Sequence, residues 1–587
     1  MSTRDNRELT KSHRGRVVAA WQKKDIKGDG PAGVGETRHI DGQQLGRART
    51  SNMMKLIILA SAVFSAFSLR AGATTTAHQE QTFESACSSL NTAVISPDVK
   101  TLFSEILPAG TALVVPGLDA SCANSTTITT DLCRLSLNVT TSASSDVLIE
   151  VWLPRNWTGR FLSTGNGGIN GCLSYDDMAY ATSLGFSTTG SNNGHSGQNG
   201  TRFLNNVEVV RDYSYRALTT SAAVGKEVTA SFYQKSHTKS YYLGCSTGGR
   251  QGFKMAQDFP EIFDGIVAGA PAFNFQGLMS WSGTFHSIIK RAGPDGFPPA
   301  STWAAVDAEL LAQCDHLDGA IDGILEDPSM CNFRPEALIC QNGQANSTCI
   351  TGKQAATIRQ FLSPVYGVNG SFVYPRLEPV PGFLAFISSS YSAKQFLYTD
   401  HWFKYALYND PNLNTTFLGP ENWQYAFEND PTGARTWSGN LTQMAARGTK
   451  LLHYHGLQDT LISSASSNTY YNLASRTMSL SSSDLDDFYR YFRISGMGHC
   501  TGGLGASAIG NRGPNAASLD PAENVLTAMM QWVEEGVAPN AVIGSRFQNG
   551  TKALGVEYTR SHCKFPLRNV LKPGGNYTNQ GDWQCVL

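Results

Sequence analysis

One serine in the sequence stands in the setting expected of a nucleophile. The segment GCSTG at residues 244–248 has the form G-x-S-x-G, in which the serine is held on a sharp turn between a strand and a helix. The neighbouring residues agree with this setting, because an apolar strand pattern at 240–243 precedes the motif and a helical pattern at 249–258 follows it. The motif therefore predicts that Ser246 is a catalytic nucleophile.

A serine hydroxyl needs a base to remove its proton, and a third group usually orients that base. Asp459 follows an apolar strand pattern at 450–454, and His499 lies in a loop after a second one at 488–494. The chain order Ser…Asp…His is the order that enzymes with such a serine turn use. Histidine suits the role of base because its ordinary pKa lies near neutrality. The sequence thus predicts a triad of Ser246, Asp459 and His499.

Three other histidines compete for the role of base. His453 and His455 are close to Asp459 in sequence, but one lies within the strand pattern and the other at its end. His195 precedes the nucleophile and breaks the expected order, although it could line the pocket.

An acyl-transfer site also needs two backbone N–H donors for the oxyanion. One is expected from Thr247, which follows the nucleophile. The other is expected from the glycine cluster at 165–168, at Gly167 and Gly168. The alternative for this cluster is an ordinary turn.

The cysteines predict disulfides and an oxidising compartment. The sequence has 12 cysteines and no C-x-x-C pair, which favours six disulfides over a zinc or redox site; scattered thiols are the alternative. Cys245 precedes the nucleophile and Cys500 follows the base. We expect these two to be bonded, because one short bridge would then hold the serine and histidine backbones close together.

The elements around these residues indicate an α/β fold. Strand patterns at 147–153 and 263–270 alternate with helical patterns at 213–232 and 523–535. We predict an α/β-hydrolase fold, with a mostly parallel sheet flanked by helices and a large inserted lid domain. The predicted domains are a catalytic domain formed by residues 74–272 and 446–587, and an aromatic-rich, irregular lid formed by residues 273–445.

The N-terminus carries a secretion signal in an unusual place. Residues 53–73 combine a basic start, an apolar run and an A-x-A site, which is typical of a signal peptide. We interpret residues 1–52 as a mis-annotated extension; a cytoplasmic tail before a membrane anchor is the alternative. No other segment resembles a membrane span, and the net charge of −1 without a basic stripe argues against nucleic acid. Ten N-x-S/T sequons agree with a secreted glycoprotein: Asn124, Asn138, Asn156, Asn199, Asn346, Asn369, Asn414, Asn440, Asn549 and Asn576.

The Cys-Ser…Asp…His-Cys constellation resembles the tannase/feruloyl esterase family, and most closely its fungal feruloyl esterase B members. The segments YYLGCSTGGRQGFKMAQD (241–258) and FDGIVAGAPAF (263–273) carry the resemblance, which extends over about residues 80–587. It implies an α/β-hydrolase domain with a large lid, and disulfides between near neighbours in addition to Cys245–Cys500. The implied pairs are Cys87–Cys133, Cys122–Cys172, Cys314–Cys331, Cys340–Cys349 and Cys563–Cys585.

The segment CDHLDGAIDGI at 314–324 is a candidate calcium loop. Its aspartates and glycines suit Ca²⁺ on a tight turn, but the spacing departs from an EF-hand, and a plain acidic turn is an equal alternative from the residues alone. The family resemblance implies a structural Ca²⁺ site. The implied ligands are the side chains of Asp315, Asp318 and Asp322 and the carbonyls of Ala320 and Ile324.

The resemblance also implies a function. The protein would be a secreted serine carboxylic ester hydrolase that releases ferulate, caffeate or p-coumarate from plant cell-wall polysaccharide esters such as those of xylan, through an acyl-enzyme. A tannase that cleaves galloyl esters is one alternative. A non-catalytic protein that binds phenolics or carbohydrate on a hydrolase scaffold is another.

Overall fold

A large mixed sheet forms the centre of the protein in the computed structural model, which describes residues 82–90, 96, 98–341 and 346–587. The predicted extension at 1–52 and signal peptide at 53–73 lie outside the described residues. All described residues belong to one unit that begins at Gln79.

The strands of the described residues are β1 (Val99–Leu107), β2 (Ala112–Val114), β3 (Ser125–Thr127), β4 (Leu132–Ser142), β5 (Ser145–Pro154), β6 (Arg160–Thr164), β7 (Phe186–Ser191), β8 (Lys239–Cys245), β9 (Gly265–Gly269), β10 (Val365–Tyr366), β11 (Phe372–Tyr374), β12 (Lys450–Gly456), β13 (Tyr489–Ile494), β14 (Ala541–Phe547), β15 (Val556–Cys563), β16 (Arg568–Leu571) and β17 (Trp583–Val586). The helices are α1 (Phe83–Ser89), α2 (Tyr175–Ser183), α3 (Val207–Arg211), α4 (Ala217–Tyr233), α5 (Thr247–Asp258), α6 (Phe275–Ala292), α7 (Trp303–Cys314), α8 (Gly352–Phe361), α9 (Phe383–Tyr391), α10 (Leu397–His401), α11 (Pro420–Glu428), α12 (Thr442–Arg447), α13 (Ala465–Met478), α14 (Ser482–Leu485) and α15 (Val525–Glu535).

Nine strands of the described chain make up the main sheet, in the order β1-β4-β5-β7-β6-β8-β9-β12-β13. The strands from β7 to β13 in this order pair in parallel, whereas β1, β4, β5 and β7 pair antiparallel. The predicted α/β-hydrolase fold with a mostly parallel sheet is therefore confirmed.

Strand alternation explains why helices cover both faces of the sheet. Successive side chains of a strand point to opposite faces. In β8, Tyr242 packs with α5 and α13 side chains such as Phe253 and Tyr470, whereas Tyr241 packs on the other face near Trp532 of α15. These strands are buried on both faces, so their sequences are continuously apolar.

The topology places the candidate residues at one edge of the sheet. Ser246 follows the last residue of β8, Asp459 comes shortly after β12, and His499 comes shortly after β13. These strands belong to the parallel part of the sheet, so their carboxyl ends meet at the same edge.

The segment 273–445 is more regular than its sequence indicated. It contains the helices α6 to α11, the start of α12 and the hairpin β10–β11, and it contributes most of a separate cluster of buried apolar side chains. The boundaries of the catalytic and lid domains remain a prediction. Within the described residues, no helix is both long enough and apolar enough to cross a bilayer.

Six disulfides join the cysteines of the described chain, and all six predicted pairs are confirmed. They are Cys87–Cys133, Cys122–Cys172, Cys245–Cys500, Cys314–Cys331, Cys340–Cys349 and Cys563–Cys585.

Candidate active site

Ser246 occupies a sharp turn between β8 and α5. Its backbone has φ 68° and ψ −122°, a conformation that non-glycine residues rarely adopt outside functional sites. The glycines around it permit the close approach of chain segments: a Cβ on Gly244 would lie 2.9 Å from the Gly248 backbone, and one on Gly165 would lie 2.6 Å from the Gly248 Cα. Helix α5 starts at Thr247, two residues before the start predicted at residue 249, because the serine turn leads directly into the helix.

Asp459 and His499 are in direct contact. His499 Nδ1 lies 2.7 Å from Asp459 Oδ2, and Asp459 Oδ1 accepts hydrogen bonds from the N–H groups of Leu461 at 2.8 Å and Ile462 at 2.9 Å. Burial alone would raise the pKa of Asp459, but the charge of His499 and the hydrogen bonds from His455 and His499 lower it below its ordinary value. Asp459 is therefore an ionised, oriented acceptor for the His499 ring.

The bridge between Cys245 and Cys500 brings the serine and histidine loops together. The Cα atoms of the two cysteines are 6.0 Å apart. Ser246 and His499 line the same cavity, which has a volume of about 450 Å³. Among the described contacts, no hydrogen bond joins the Ser246 hydroxyl to His499; such bonds are often long in a free enzyme and shorten in the substrate complex.

The glycine cluster at 165–168 lies against the start of α5. The N–H of Gly165 donates to the Leu243 carbonyl and that of Asn166 donates to Gln251 Oε1, both at 3.0 Å. The N–H groups of Gly167 and Gly168 donate to no acceptor among the described residues, and both glycines line the cavity with Ser246. Their predicted oxyanion role, with that of Thr247, remains a prediction that this placement permits.

Two compartments meet at Ser246. The walls of the larger cavity are both polar and apolar, and their polar side chains include Asp177 and Arg512, whose Oδ1 and Nε are 3.3 Å apart. The smaller pocket, beside Thr247, is mostly apolar. Its other lining residues are Gly168, Ala272, Phe275, Leu278, Met279, Ser282, Phe396, Tyr398, Leu461 and Ile462.

The three competing histidines are buried and hydrogen-bonded to protein groups, and none of them lines either compartment. His195 is buried, with Nε2 2.9 Å from the Ile169 carbonyl, and it is absent from the lining of both compartments. His455 was set aside on sequence grounds, yet its Nε2 lies 3.2 Å from Asp459 Oδ2, on the carboxylate that also contacts His499. His455 lies at the end of β12, four residues before Asp459, and this short spacing was the available signal for the contact.

The candidate calcium loop contains a 3₁₀ turn at Asp315–Asp318. In this structure its carboxylates accept hydrogen bonds from loop N–H groups: Asp315 from Gly323, Asp318 from Ala320 and Glu326, and Asp322 from Ile324. In the described part of the chain, no three acidic, histidine or cysteine side chains converge as a ready metal cluster.

The charges of this loop are incompletely balanced. Arg560 contacts Asp322 at 2.8 Å and Glu326 at 2.5 Å, but Asp315 and Asp318 have only N–H partners. Burial raises the pKa of Asp318 to about 7, against the opposing effect of its N–H donors. Carboxylate and carbonyl oxygens on one loop with excess negative charge fit the chemistry of a Ca²⁺ site.

The sheet, the serine turn at its carboxyl edge and the Asp459–His499 pair behind that turn define an enzyme of the α/β-hydrolase fold. The chain belongs to the tannase and feruloyl esterase family, whose model matches residues 133–586. It is a carboxylic ester hydrolase, which contradicts the alternative of a non-catalytic binding protein.

Known relatives cover nearly the whole described chain. A probable feruloyl esterase B-2 from Aspergillus terreus is 47% identical over 510 residues, which cover 87% of this chain and 96% of the relative. The crystal structure of feruloyl esterase B from Aspergillus oryzae is 46% identical with a TM-score of 0.83, and the match covers 86% of this chain and 100% of that one. A tannin acyl hydrolase from Aspergillus niger shares the fold, with a TM-score of 0.67 at 20% identity over 86% of this chain and 95% of that one.

Proposed function

We propose that this protein is a secreted feruloyl esterase that releases hydroxycinnamic acids from plant cell-wall polysaccharide esters through an acyl-enzyme. The observation that carries the proposal is the position of Ser246 between a small apolar pocket and a larger cavity with polar side chains in its walls. The apolar lining of the smaller pocket suits the faces of a planar hydroxycinnamoyl ring. The pocket has a volume of about 20 Å³ in this structure, so it has to widen to admit such a ring. The polar side chains of the larger cavity suit the hydroxyl-rich sugar that leaves.

The proposed mechanism follows from the roles of the three side chains. His499 removes the proton of Ser246 as the serine oxygen attacks the ester carbonyl, while Asp459 holds the ring. The N–H of Thr247 and those of Gly167 and Gly168 stabilise the oxyanion. His499 then gives the proton to the departing alcohol as the ester C–O bond breaks, and water releases the acid by the same steps.

The lining of the smaller pocket favours hydroxycinnamates over galloyl esters. Apart from the nucleophile Ser246, the polar groups that its side chains offer are the hydroxyls of Ser282, Tyr398 and Thr247. The Thr247 hydroxyl already donates to the Gly168 carbonyl, and the Ser282 hydroxyl lies 3.2 Å from Tyr391 Oη. A galloyl ring carries three hydroxyls, and each one left without a partner on burial would cost about 1–3 kcal/mol. A ring with fewer hydroxyls loses less on entering this pocket.

A substrate panel tests the proposal. The wild-type protein is expected to hydrolyse methyl ferulate, p-coumarate and caffeate faster than methyl gallate. Ser246→Ala should lower kcat by at least about 10⁴-fold while leaving the melting temperature unchanged. Turnover of the gallate ester alone would favour a tannase, and full activity of Ser246→Ala would contradict the proposed nucleophile.

Secretion is part of the proposal. Six disulfides and many sequons are typical of an extracellular protein. N-terminal sequencing of the protein purified from the secreted fraction for the same panel should find a start close to residue 74. A start well before residue 70 would contradict the signal peptide at 53–73.

The proposal includes a structural Ca²⁺ ion in the 314–324 loop. Asp315, Asp318 and Asp322 would supply carboxylate oxygens, and Ala320 and Ile324 would supply carbonyls. When bound, the ion would neutralise the excess charge of the loop and stiffen it, without taking part in ester hydrolysis.

A further inference from the structure

A row of four buried polar side chains extends behind Asp459, away from the cavity. Tyr489, His453, Ser467 and His455 are each 0% exposed. Tyr489 Oη lies 3.0 Å from His453 Nδ1, and His453 Nε2 lies 2.9 Å from Ser467 Oγ. Ser467 Oγ lies 2.6 Å from His455 Nδ1. The four side chains therefore form one continuous hydrogen-bonded row.

The row ends on the carboxylate that contacts the candidate base. His455 Nε2 lies 3.2 Å from Asp459 Oδ2 and 3.0 Å from the Ile462 carbonyl. His499 Nδ1 lies 2.7 Å from the same Oδ2 atom. Asp459 Oδ1 is occupied by two backbone N–H groups, so the two histidines share the remaining oxygen.

The direction of each hydrogen bond follows from its partners. Asp459 and the Ile462 carbonyl are acceptors, so His455 carries a hydrogen on Nε2. When the ring is neutral, its Nδ1 has no hydrogen and accepts from the Ser467 hydroxyl. Burial holds the pKa of His453 well below its ordinary value, so this ring is neutral. The Ser467 hydroxyl has one hydrogen, which it donates to His455. His453 must therefore donate from Nε2 to Ser467 Oγ and accept on Nδ1 from the Tyr489 hydroxyl. Every donor in the row therefore points towards Asp459.

We propose that Tyr489, His453, Ser467 and His455 are positioning residues of the catalytic triad, because their one-directional row fixes the His455 N–H that shares Asp459 Oδ2 with His499. The inference rests on the proposed function. Hydrogen bonds that polarise one another strengthen each other in a buried environment. The row thus sets both the orientation of the carboxylate and how much of its negative charge is available to His499.

The influence of the row on Asp459 should be measurable in the pH dependence of activity. His455 and His499 contact Asp459, and His453 faces His455. The pKa values of Tyr374 and Tyr391, in the 273–445 segment, are raised mainly by burial and also by the charge of Asp459. Both side chains therefore stay neutral over the pH range of the measurement. Weakening the His455 donation leaves more negative charge for protonated His499. The acidic limb of the pH profile of kcat/KM should then move to higher pH.

Ser467→Ala is the principal test, because it breaks the row while preserving a helical position of α13. The acidic limb is expected to rise by about half a pH unit, and kcat for methyl ferulate to fall about threefold to tenfold with KM nearly unchanged. His455→Phe should have the larger effect, and His455→Gln, which keeps an N–H donor, should restore most of it. Ser475→Ala is the matched control: it lies on the same helix, and its hydroxyl donates to the Leu480 carbonyl at 2.7 Å, outside the row.

Neutron diffraction of deuterated crystals reads the direction of the row independently of activity. Deuterons are expected on Nε2 of His453 and His455, and a deuteron on His455 Nδ1 would overturn the inference. If the wild type is active and Ser467→Ala and His455→Phe have the same pH profile and kcat, the positioning role of the row is refuted while the proposed function stands. This holds even if both variants melt at a lower temperature. A wild type that hydrolyses no ester would overturn the proposed function and the positioning role together.

Discussion

At the scale of single residues, His562 connects the loop that carries His499 to the antiparallel pair of β14 and β15. This histidine of β15 is completely buried; its Nε2 lies 2.8 Å from the Ala506 carbonyl and its Nδ1 lies 3.4 Å from the Ser495 nitrogen. The Ser495 N–H donates to Nδ1, so the hydrogen of the neutral ring sits on Nε2. Burial lowers the pKa of His562 to about 4, so the folded protein holds this ring neutral.

This buried histidine predicts a loss of stability in mild acid. An unfolded chain binds the proton at a pKa of about 6.5, whereas the folded protein binds it near 4. The stability contribution is complete above pH 6.5 and is lost as the pH falls to about 4, by about 3 kcal/mol at most. His562→Gln keeps a donor for the Ala506 carbonyl and should flatten the free energy of unfolding over this range, as followed by denaturant titrations. The exposed His316→Gln should keep the wild-type slope, and an unchanged slope in His562→Gln would refute the assignment.

At the scale of secondary-structure elements, one disulfide ties the end of β8 to the loop after β13. Cys245 and Cys500 are separated by 255 residues, whereas Cys340 and Cys349 in the 273–445 segment are separated by 9. In the chain-entropy model, the longer loop corresponds to a stabilisation of about 5 kcal/mol and the shorter one to about 2.5 kcal/mol. Comparing the removal of each bridge therefore separates its effect on stability from its effect on the position of the catalytic residues.

Removing the two bridges should have different effects on catalysis. The Cys245→Ala/Cys500→Ala variant is expected to melt at a lower temperature and to lose about a hundredfold in kcat, because a shift of about 1 Å in the relative position of the reacting groups is enough for such a loss. The Cys340→Ala/Cys349→Ala variant should lose less stability and keep its kcat. Calorimetry and ester hydrolysis at 25 °C measure both, and equal kcat in the two variants would show that the first bridge has no positional role.

At the scale of the whole molecule, the 314–324 loop joins a part of the 273–445 segment to the C-terminal strands. Arg560 of β15 pairs with Asp322 of the loop, and Asn569 of β16 donates at 2.9 Å to Oε2 of Glu326, two residues beyond the loop. A Ca²⁺ ion in this loop would stabilise a junction between distant parts of the sequence. It would do so away from the cavity that contains Ser246, since none of the proposed ligands lines that cavity.

Chelation is expected to destabilise the protein without changing its chemistry. At a free Ca²⁺ concentration about 100 times its dissociation constant, the ion would contribute about 2.7 kcal/mol, so its removal should lower the melting temperature by several degrees. Asp318→Asn should abolish this dependence on Ca²⁺. Asp307→Asn, whose carboxylate accepts from the Gly382 N–H at 3.1 Å, should retain it. A melting temperature that is independent of Ca²⁺ and EDTA in the wild type would exclude the site, and kcat at 25 °C should be the same in both conditions.

The regular elements around the site were largely predictable. The strand expected at 450–454 is β12 (Lys450–Gly456), and the helix expected at 523–535 is α15 (Val525–Glu535). The prediction was weaker for residues 273–445, which contain several helices despite their irregular pattern. One of these helices, α6, is buried on more than one side, because most of its residues are inaccessible. By contrast, α7 buries Val306, Leu310 and Cys314 on a single face. A helix buried all round lacks the amphipathic period by which sequence reveals it.

The sequence by itself predicted the members of the candidate triad, and it predicted the Cys245–Cys500 bridge, which the structure confirms. The order of the residues along the chain, their positions just after strands and the adjacent cysteines can all be read directly from one sequence. Only the tertiary structure decided that two histidines share the Asp459 carboxylate, and that Tyr489, from a neighbouring strand, completes the row behind it. Hydrogen-bond direction depends on which atoms meet across elements and which of them are buried, and spacing along the chain does not specify either.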